Sequence, residues 1–428
     1  MSKRILFIGI VDSPHFARWV NQLADEGWDL HVFPVYHTLP HQMQMLRKVT
    51  VHLPWIKFSP IGFLKKVLQN PSSAFRRQKP SPVALQGRVE FKSIWPIPVT
   101  SRLEAAILRI KGTRLGESEN RSPTPYGPKT LSRLINSIKP DLIHSMEFQQ
   151  AGYLVLKAKE YIPESQFPKW LATNWGSDIY HYRNFPDHKL QIERLLKSID
   201  FYSCECERDV TIARELGLTA PSLPVMPNSG GFDIEAAQAL RSNIDASERR
   251  VIMVKGYQHF AGRALTALEA ILACRDDLKG YHVIVFSALD EVRERVQELR
   301  VFHGIEISVL ERCGHEKMLK YFAHARVYLG VSVSDGISTS MLEAMAMGAF
   351  PMQTDSSCCV EWIKDGETGY VIQHDDVDTI AQKLKRALTD DNLVDTAREL
   401  NWETVVTRLD ASRLKMTAQG MYKQIFGQ

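Results

Sequence analysis

Asp335 and Glu343 stand eight positions apart with Gly336, Ser338, Thr339 and Ser340 between them. Two carboxylates thus frame a small hydroxyl-rich loop. The loop follows the apolar run Val327 to Val333 and precedes apolar residues at helical spacing, Met341, Leu342, Met345 and Ala346, which Gly348 stops. A strand, a short polar loop and a helix N-terminus aim backbone N–H groups at one point, where an anion is held. The amides and hydroxyls of Ile337, Ser338, Thr339 and Ser340 are the candidates for that task. Glu343 also has a purely structural reading, in which Ser340 caps the helix and Glu343 reaches back in a capping box. That reading leaves Asp335 and the other hydroxyls without a purpose.

A second basic and glycine-bearing loop, Lys255-Gly256 through Gly262-Arg263, follows the buried run Arg249 to Val254. Lysine and arginine on such a loop suit a pyrophosphate; the alternative is ordinary surface charge. His15 lies where the first strand meets its helix, at the edge where parallel sheets bind ligands. His315 opens a helix and reads equally as a base-pocket residue or a helix-start residue. Cys204-Glu-Cys206 could ligate a metal, but the sequence shows no second ligand pair, and buried thiols are the plainer account.

These residues need a scaffold, and the pattern of apolar runs supplies one. Lys3 to Ile10 reads as a strand, Phe16, Trp19, Val20 and Leu23 as a helix closed by Gly27, and Leu30 to Val35 as a second strand. This is a βαβ start and predicts a doubly wound parallel sheet. Its first turn carries one glycine and no GxGxxG, which argues against a dehydrogenase. Leu131 to Ile138 reads as helix, with strands at Asp141 to Ser145 and Leu171 to Asn174. A second series restarts at Arg249. It has strands at 283–287, 305–310 and 327–333, alternating with helices at 289–301 and 314–324.

The run D-G-x-S-x-S-x-L-E-A-M-A-x-G-x-P, continued by Glu361-Trp362-Ile363 and Asp365-Gly366-Glu367-Thr368-Gly369, resembles the donor-site signature of family 4 glycosyltransferases. The likeness is strong over residues 325 to 390 and thinner elsewhere. The family writes two glutamates where this chain has Asp335 and Glu343. The resemblance implies the GT-B fold, two Rossmann-like domains facing a cleft. It also implies transfer of a sugar from a nucleoside diphosphate with retention at the anomeric carbon. Glu343 would accept from the ribose hydroxyls and Asp335 would hold the transferred sugar. The diphosphate would lie on Gly336 to Ser340 and on Gly256, Lys255 and Arg263, whose spacing is wider than the family's. The family's H-x-H-E junction appears as His144-Ser-Met146-Glu147, with methionine for the second histidine. Glu147 and His144 would meet acceptor or sugar hydroxyls. Asp178, in the G-S-D turn common to the family, reads as an N-cap or as facing the cleft.

At 428 residues two domains are expected. The expected limits are 1–225 for the acceptor-binding domain and 226–400 for the nucleotide-sugar domain. A C-terminal helix, 401–428, would return to the first domain. No apolar run approaches the ~20 residues that span a bilayer. Ile5 to Val11 is too short for a signal-peptide core, and six cysteines without a disulfide framework fit a reducing cytoplasm. The net charge of +4 conceals a stretch from Asp29 to Glu90 with nine basic residues and no acidic one between, leaving the rest at about −5. Within this basic insertion, about 36–89, cations are interleaved with Trp55, Phe58 and Phe75. An amphipathic helix is expected over 61–68. An anionic membrane surface, met through residues 47–88, is the expected partner; a segment packed on its own domain is the alternative. No nucleic-acid motif accompanies it. Residues 112–128 read as a loop.

The expectation is therefore a cytoplasmic, peripherally membrane-bound glycosyltransferase of the hexose-transferring type. It would move a sugar, UDP-linked by preference, to a lipid-linked saccharide in surface polysaccharide synthesis. No DxD motif is evident, so no metal or other cofactor is called for. An epimerase of the same fold and a non-catalytic sugar-nucleotide-binding subunit remain as alternatives.

Overall fold

A computed structural model of the protein describes residues 2–36, 43–53, 89–94 and 127–427. The expected amphipathic helix at 61–68, most of the basic stretch and nearly all of the 112–128 loop lie outside these residues. The described chain forms two compact units.

The first unit comprises residues 1–173 and 197–202. Its sheet has the order β4-β3-β2-β1-β5-β6-β7. The strands are β1 (Arg4–Gly9), β2 (Asp29–Pro34), β3 (Val49–Leu53), β4 (Val89–Ser93), β5 (Leu142–Met146), β6 (Lys169–Thr173) and β7 (Phe201–Ser203). β1 pairs in parallel with both β2 and β5. Its side chains Ile5 to Ile8 are wholly buried, as a strand covered on both faces requires. The helix Pro14–Asn21 packs Phe16, Trp19 and Val20 inward, at the spacing read from the sequence. β3 is a finding: it lies inside the stretch read as an insertion, yet it pairs with β2 through His31–Thr50 and Val32–Val51. Its alternation of Val49, Val51 and Leu53 is the period-2 signal that the cationic composition masked.

The second unit comprises residues 174–196 and 203–428. Its sheet has the order β10-β9-β8-β11-β12-β13. These are β8 (Val251–Lys255), β9 (His282–Phe286), β10 (Ile307–Leu310), β11 (Ala325–Gly330), β12 (Phe350–Thr354) and β13 (Tyr370–Ile372). Its described pairings are parallel. The β-branched and aromatic faces of Ile252, Val254, Val283, Val285, Val327, Leu329 and Phe350 form one core with Leu268, Ile271 and Leu384 from the helices. The single terminal helix expected from Asn401 is two helices, Asp391–Arg408 and Ala411–Phe426. They are broken at Leu409-Asp410, where Asp410 caps the second helix.

Candidate donor site

β11 ends at Gly330, three residues before the apolar run does. The chain there leaves the sheet and pairs with the glycine loop after β8. The Val333 amide donates to the Ala261 carbonyl at 2.7 Å, and the Arg263 amide to the Val331 carbonyl at 2.9 Å. The two loops singled out in the sequence are thereby tied into one structure. The helix Thr339–Met347 follows, with Ser338 at the N-cap and no side chain capping it. Its first-turn amides therefore face the loop without a carboxylate or hydroxyl of their own, the arrangement that accepts an anion.

The capping-box reading is corrected. The helix begins two residues earlier than it required, and Ser340 lies inside it. The Ser338 and Ser340 hydroxyls meet Tyr328 Oη at 3.2 and 3.3 Å, and Tyr328 donates to Gln353 Oε1 at 3.0 Å. Glu343, 8% exposed, lies 2.7 Å through Oε1 from Nε2 of His315. A half-exposed imidazole and a nearly buried carboxylate thus form a pair at the start of the helix His315–His324.

Lys255 closes the other side. Its Nζ lies 3.5 Å from Asp335 Oδ2 and 3.4 Å from Ser338 Oγ. Burial alone would lower the pKa of this amine, but the Asp335 carboxylate outweighs it and the ammonium is held above its ordinary range. Asp335 Oδ1 also accepts from the Gly336 amide at 3.0 Å. Gly256 hydrogen-bonds to the Phe286 carbonyl, and a side chain there would strike Ala288. Arg263 folds back instead, donating to the carbonyls of His259 and Gly262 at 2.8 and 2.7 Å. Lys255, Asp335, Ser338 and Ser340 come together; Arg263 orders its own loop.

The wall behind the loop is built from residues far earlier in the chain. Gly176 has φ +94°, and a Cβ on it would overlap the backbone of Gly336. Ser334 donates to Ser177 Oγ at 2.8 Å. Arg208 donates to the carbonyls of Asp335 and Ser356, at 2.8 and 2.7 Å, and its guanidinium lies 3.9 Å over the Tyr180 ring. Glu205, 9% exposed, accepts from the Asn228 amide at 2.7 Å. Burial pushes its carboxyl up to about 8, and the neighbouring Asp335 and Asp209 push the same way. Sequence reasoning missed Glu205, Arg208 and Tyr328. The G-S-D turn, Gly176-Ser177-Asp178, is the one sequence signal at the wall. Asp178, in the same turn, is 4% exposed and accepts from the Trp175 amide at 2.7 Å, so it acts within that turn.

In the first unit, Glu147 follows β5 with φ 82°, in the region a side-chain-bearing residue rarely adopts. Its carboxylate accepts from the amides of Gln149, Gln150 and Ala151 at 2.6, 2.7 and 3.3 Å, capping the one-turn helix Phe148–Gly152. Burial nevertheless raises it to about 7. His144 is fully buried, its Nε2 2.7 Å from Thr173 Oγ1 and its ring beside Phe7 and Trp19. Burial lowers it to about 3, so it is a neutral core residue rather than a hydroxyl contact. His15 is in the first turn of its helix, half-buried.

Cys204 and Cys206 are buried free thiols, as expected. Cys206 lies beside Cys358, Sγ to Sγ 2.8 Å, with a Glu361 carboxylate oxygen within 4.8 Å of both. Cys358 comes from 152 residues further along the chain, and Cys204 instead donates to the Cys206 carbonyl at 3.3 Å. The Arg208 guanidinium already places positive charge beside these thiols.

Two family models match the chain. Residues 249–390 match glycosyl transferases group 1, and residues 127–203 match glycosyl transferase 4-like. No curated protein matches. Among solved structures, sucrose-phosphate synthase from Thermosynechococcus elongatus is 15% identical with TM-score 0.67, covering 99% of this chain and 100% of that one. Anabaena HepE in complex with UDP and glucose is 13% identical with TM-score 0.62, covering 100% of both chains. Its complex with UDP-glucose is 11% identical with TM-score 0.61, covering 98% and 99%. These likenesses give the fold, two Rossmann-like domains of the GT-B type. The two domain matches make the protein a glycosyltransferase.

Proposed function

We propose that the Asp335–Glu343 loop holds the nucleoside diphosphate sugar, with UDP as the nucleoside diphosphate, and that transfer proceeds with retention. The observation that carries the reading is the convergence at one uncapped helix N-terminus of Lys255, Asp335 and Ser338, with Glu343 four residues into the helix. Glu343, oriented by His315, accepts from ribose hydroxyls. Asp335 accepts from hydroxyls of the sugar. The Ser338 to Ser340 amides and the Lys255 ammonium offset the charge that grows on the leaving diphosphate, where fixed dipoles act most strongly, while the Ile337 amide is taken by Glu205. Glu147, a strained carboxylate with a raised pKa, is the first-unit candidate for a hydroxyl contact. No metal is assigned to these steps, and no enzymatic base.

The acceptor we propose is a lipid-linked saccharide at an anionic membrane surface, as in surface polysaccharide synthesis. It is supported by the basic sequence between Asp29 and Glu90, most of which lies outside the described residues. Among the described residues no helix is long and apolar enough to cross a membrane.

Thermal-shift screening of UDP, GDP, ADP and their sugars should single out one nucleotide. Glu343→Gln and Asp335→Asn should each weaken that nucleotide sugar and depress release of the nucleoside diphosphate in the presence of acceptor. Wild-type affinity and turnover in both variants would end the assignment.

A further inference from the structure

The Gly336–Ile337 turn is held from behind by one acidic side chain. Glu205 Oε1 accepts from the Asn228 amide at 2.7 Å, and the Ile337 amide also donates to the carboxyl. A Cβ on Gly336 would fall 2.7 Å from Oε2 and 2.9 Å from the Trp175 carbonyl. The turn thus rests on this carboxyl with no side chain between them.

We infer that Glu205 is a positioning residue of the donor site, bracing the Gly336–Ile337 turn and tuning the loop's affinity for a diphosphate through its own charge. The inference rests on the reading of that loop as the diphosphate site. The charged groups around Glu205 explain why its charge matters. The helix Glu207–Glu215 presents Arg208 and the buried Asp209. Arg208 is engaged with Asp209 and with the carbonyls of Asp335 and Ser356. Asp209 accepts from Asn174 Nδ2 at 2.6 Å. The loop presents Asp335, whose carboxylate is matched by Lys255. The turn before the helix Ser177–Tyr180 presents Asp178, bonded to the Trp175 amide. The two cations are thus spoken for by other anions, and Glu205 has backbone amides but no ion pair of its own among the described contacts.

Ionised, the Glu205 carboxyl would stand directly behind bound phosphate and oppose it. Protonated, it braces the turn without that cost. Its raised pKa, about 8, places the change just above neutrality. The sign follows: a diphosphate raises that pKa further, so binding takes up a proton, and affinity falls as pH rises through the free value.

Calorimetric titration of the full-length protein with UDP, at pH 8 in two buffers of different ionisation enthalpy, tests this. The terminal phosphate of UDP loses its last proton near pH ~6 and is silent there. Wild type should take up on the order of half a proton, and its affinity should fall several-fold between pH 7 and 9. Glu205→Gln should bind with no uptake and a flat profile, at an affinity lowered by the lost acceptor. Glu205→Asp keeps a carboxyl and should keep a measurable uptake. Wild-type binding of UDP with no proton exchanged, or uptake persisting in Glu205→Gln, overturns the inference and leaves the donor assignment standing. Failure of wild type to bind UDP, GDP or ADP ends the donor assignment, and the inference goes with it.

Discussion

Lys255 is the residue on which the electrostatics of the loop turn. A single ammonium serves both Asp335 and Ser338, and in the proposed donor complex it would also meet a phosphate. Lys255→Met should therefore weaken UDP by roughly thirtyfold or more, about 2 kcal/mol, because Asp335 is then left unmatched beside the ligand. Asp335→Asn in the same chain should recover part of that loss. Titration of the two single variants and the double variant measures the coupling; additive losses would remove Lys255 from the role. The carboxylates at 335 and 343 were legible because their spacing, the hydroxyls between them and the following helix lie in one stretch. Glu205 was not legible. A glutamate between two cysteines after a strand looks like any surface acid until folding buries it behind a loop far along the chain. His144 shows the opposite failure: a histidine at a strand end matched a pattern, yet its ring faces Phe7 and Trp19 inside the core.

At the scale of elements, the site depends on how β11 ends. An apolar run of seven residues predicted a strand to Val333, and Ala325–Gly330 is what the sheet keeps. The last residues pair with the glycine loop instead, since hydrogen bonds to Ala261 and Arg263 satisfy their backbone as well as a ladder would. Helix boundaries were read to within a few residues, and Gly348 ends its helix in the left-handed conformation as expected. The capping box was misplaced because the local pattern omits Tyr328, which holds the Ser338 and Ser340 hydroxyls. Contact between Gly176 and Gly336 gives a direct test. Gly176→Ala requires a side chain at φ +94° and an overlap with the loop backbone. It should cost about 1–3 kcal/mol of stability from the strain, with a further loss from the overlap. UDP affinity should fall with it, since the turn must move. Denaturant melts and UDP titration of this variant check both, and an unchanged Kd would show that the turn is free to relax.

For the whole molecule, buried groups of opposite sign shape the response to pH, among them four with large shifts. His144 and His52 stay neutral in the folded protein, lowered to about 3 and about 4 by burial. Below pH ~6.5 the unfolded chain binds their protons and the native state does not, so stability falls as pH falls. Glu147 and Glu205 are raised to about 7 and about 8. Above pH ~4.5 the unfolded chain releases their protons first, so stability falls as pH rises towards those values. The opposed slopes offset one another between about pH 4.5 and 6.5 and flatten the profile there. Each unmatched group contributes about 1.4 kcal/mol per pH unit outside that range. Denaturant unfolding from pH 3.5 to 8.5 should trace that dome; stability still climbing from pH 6.5 to 8.5 would contradict it. The two Rossmann-like units were legible at this scale, because buried parallel strands advertise themselves as apolar runs. The strand Val49–Leu53 escaped notice because the surrounding charge read as an appendage.

The back of the donor loop is written well before the loop itself. Arg208 reaches the Asp335 carbonyl across 127 residues of chain, and Gly176, Ser177 and Glu205 come from the same early region. Grafting only the segment from residue 226 onward into another enzyme would deliver a nucleotide loop without its scaffold. A transplant meant to carry donor preference must take the stretch from Asn174 along with it.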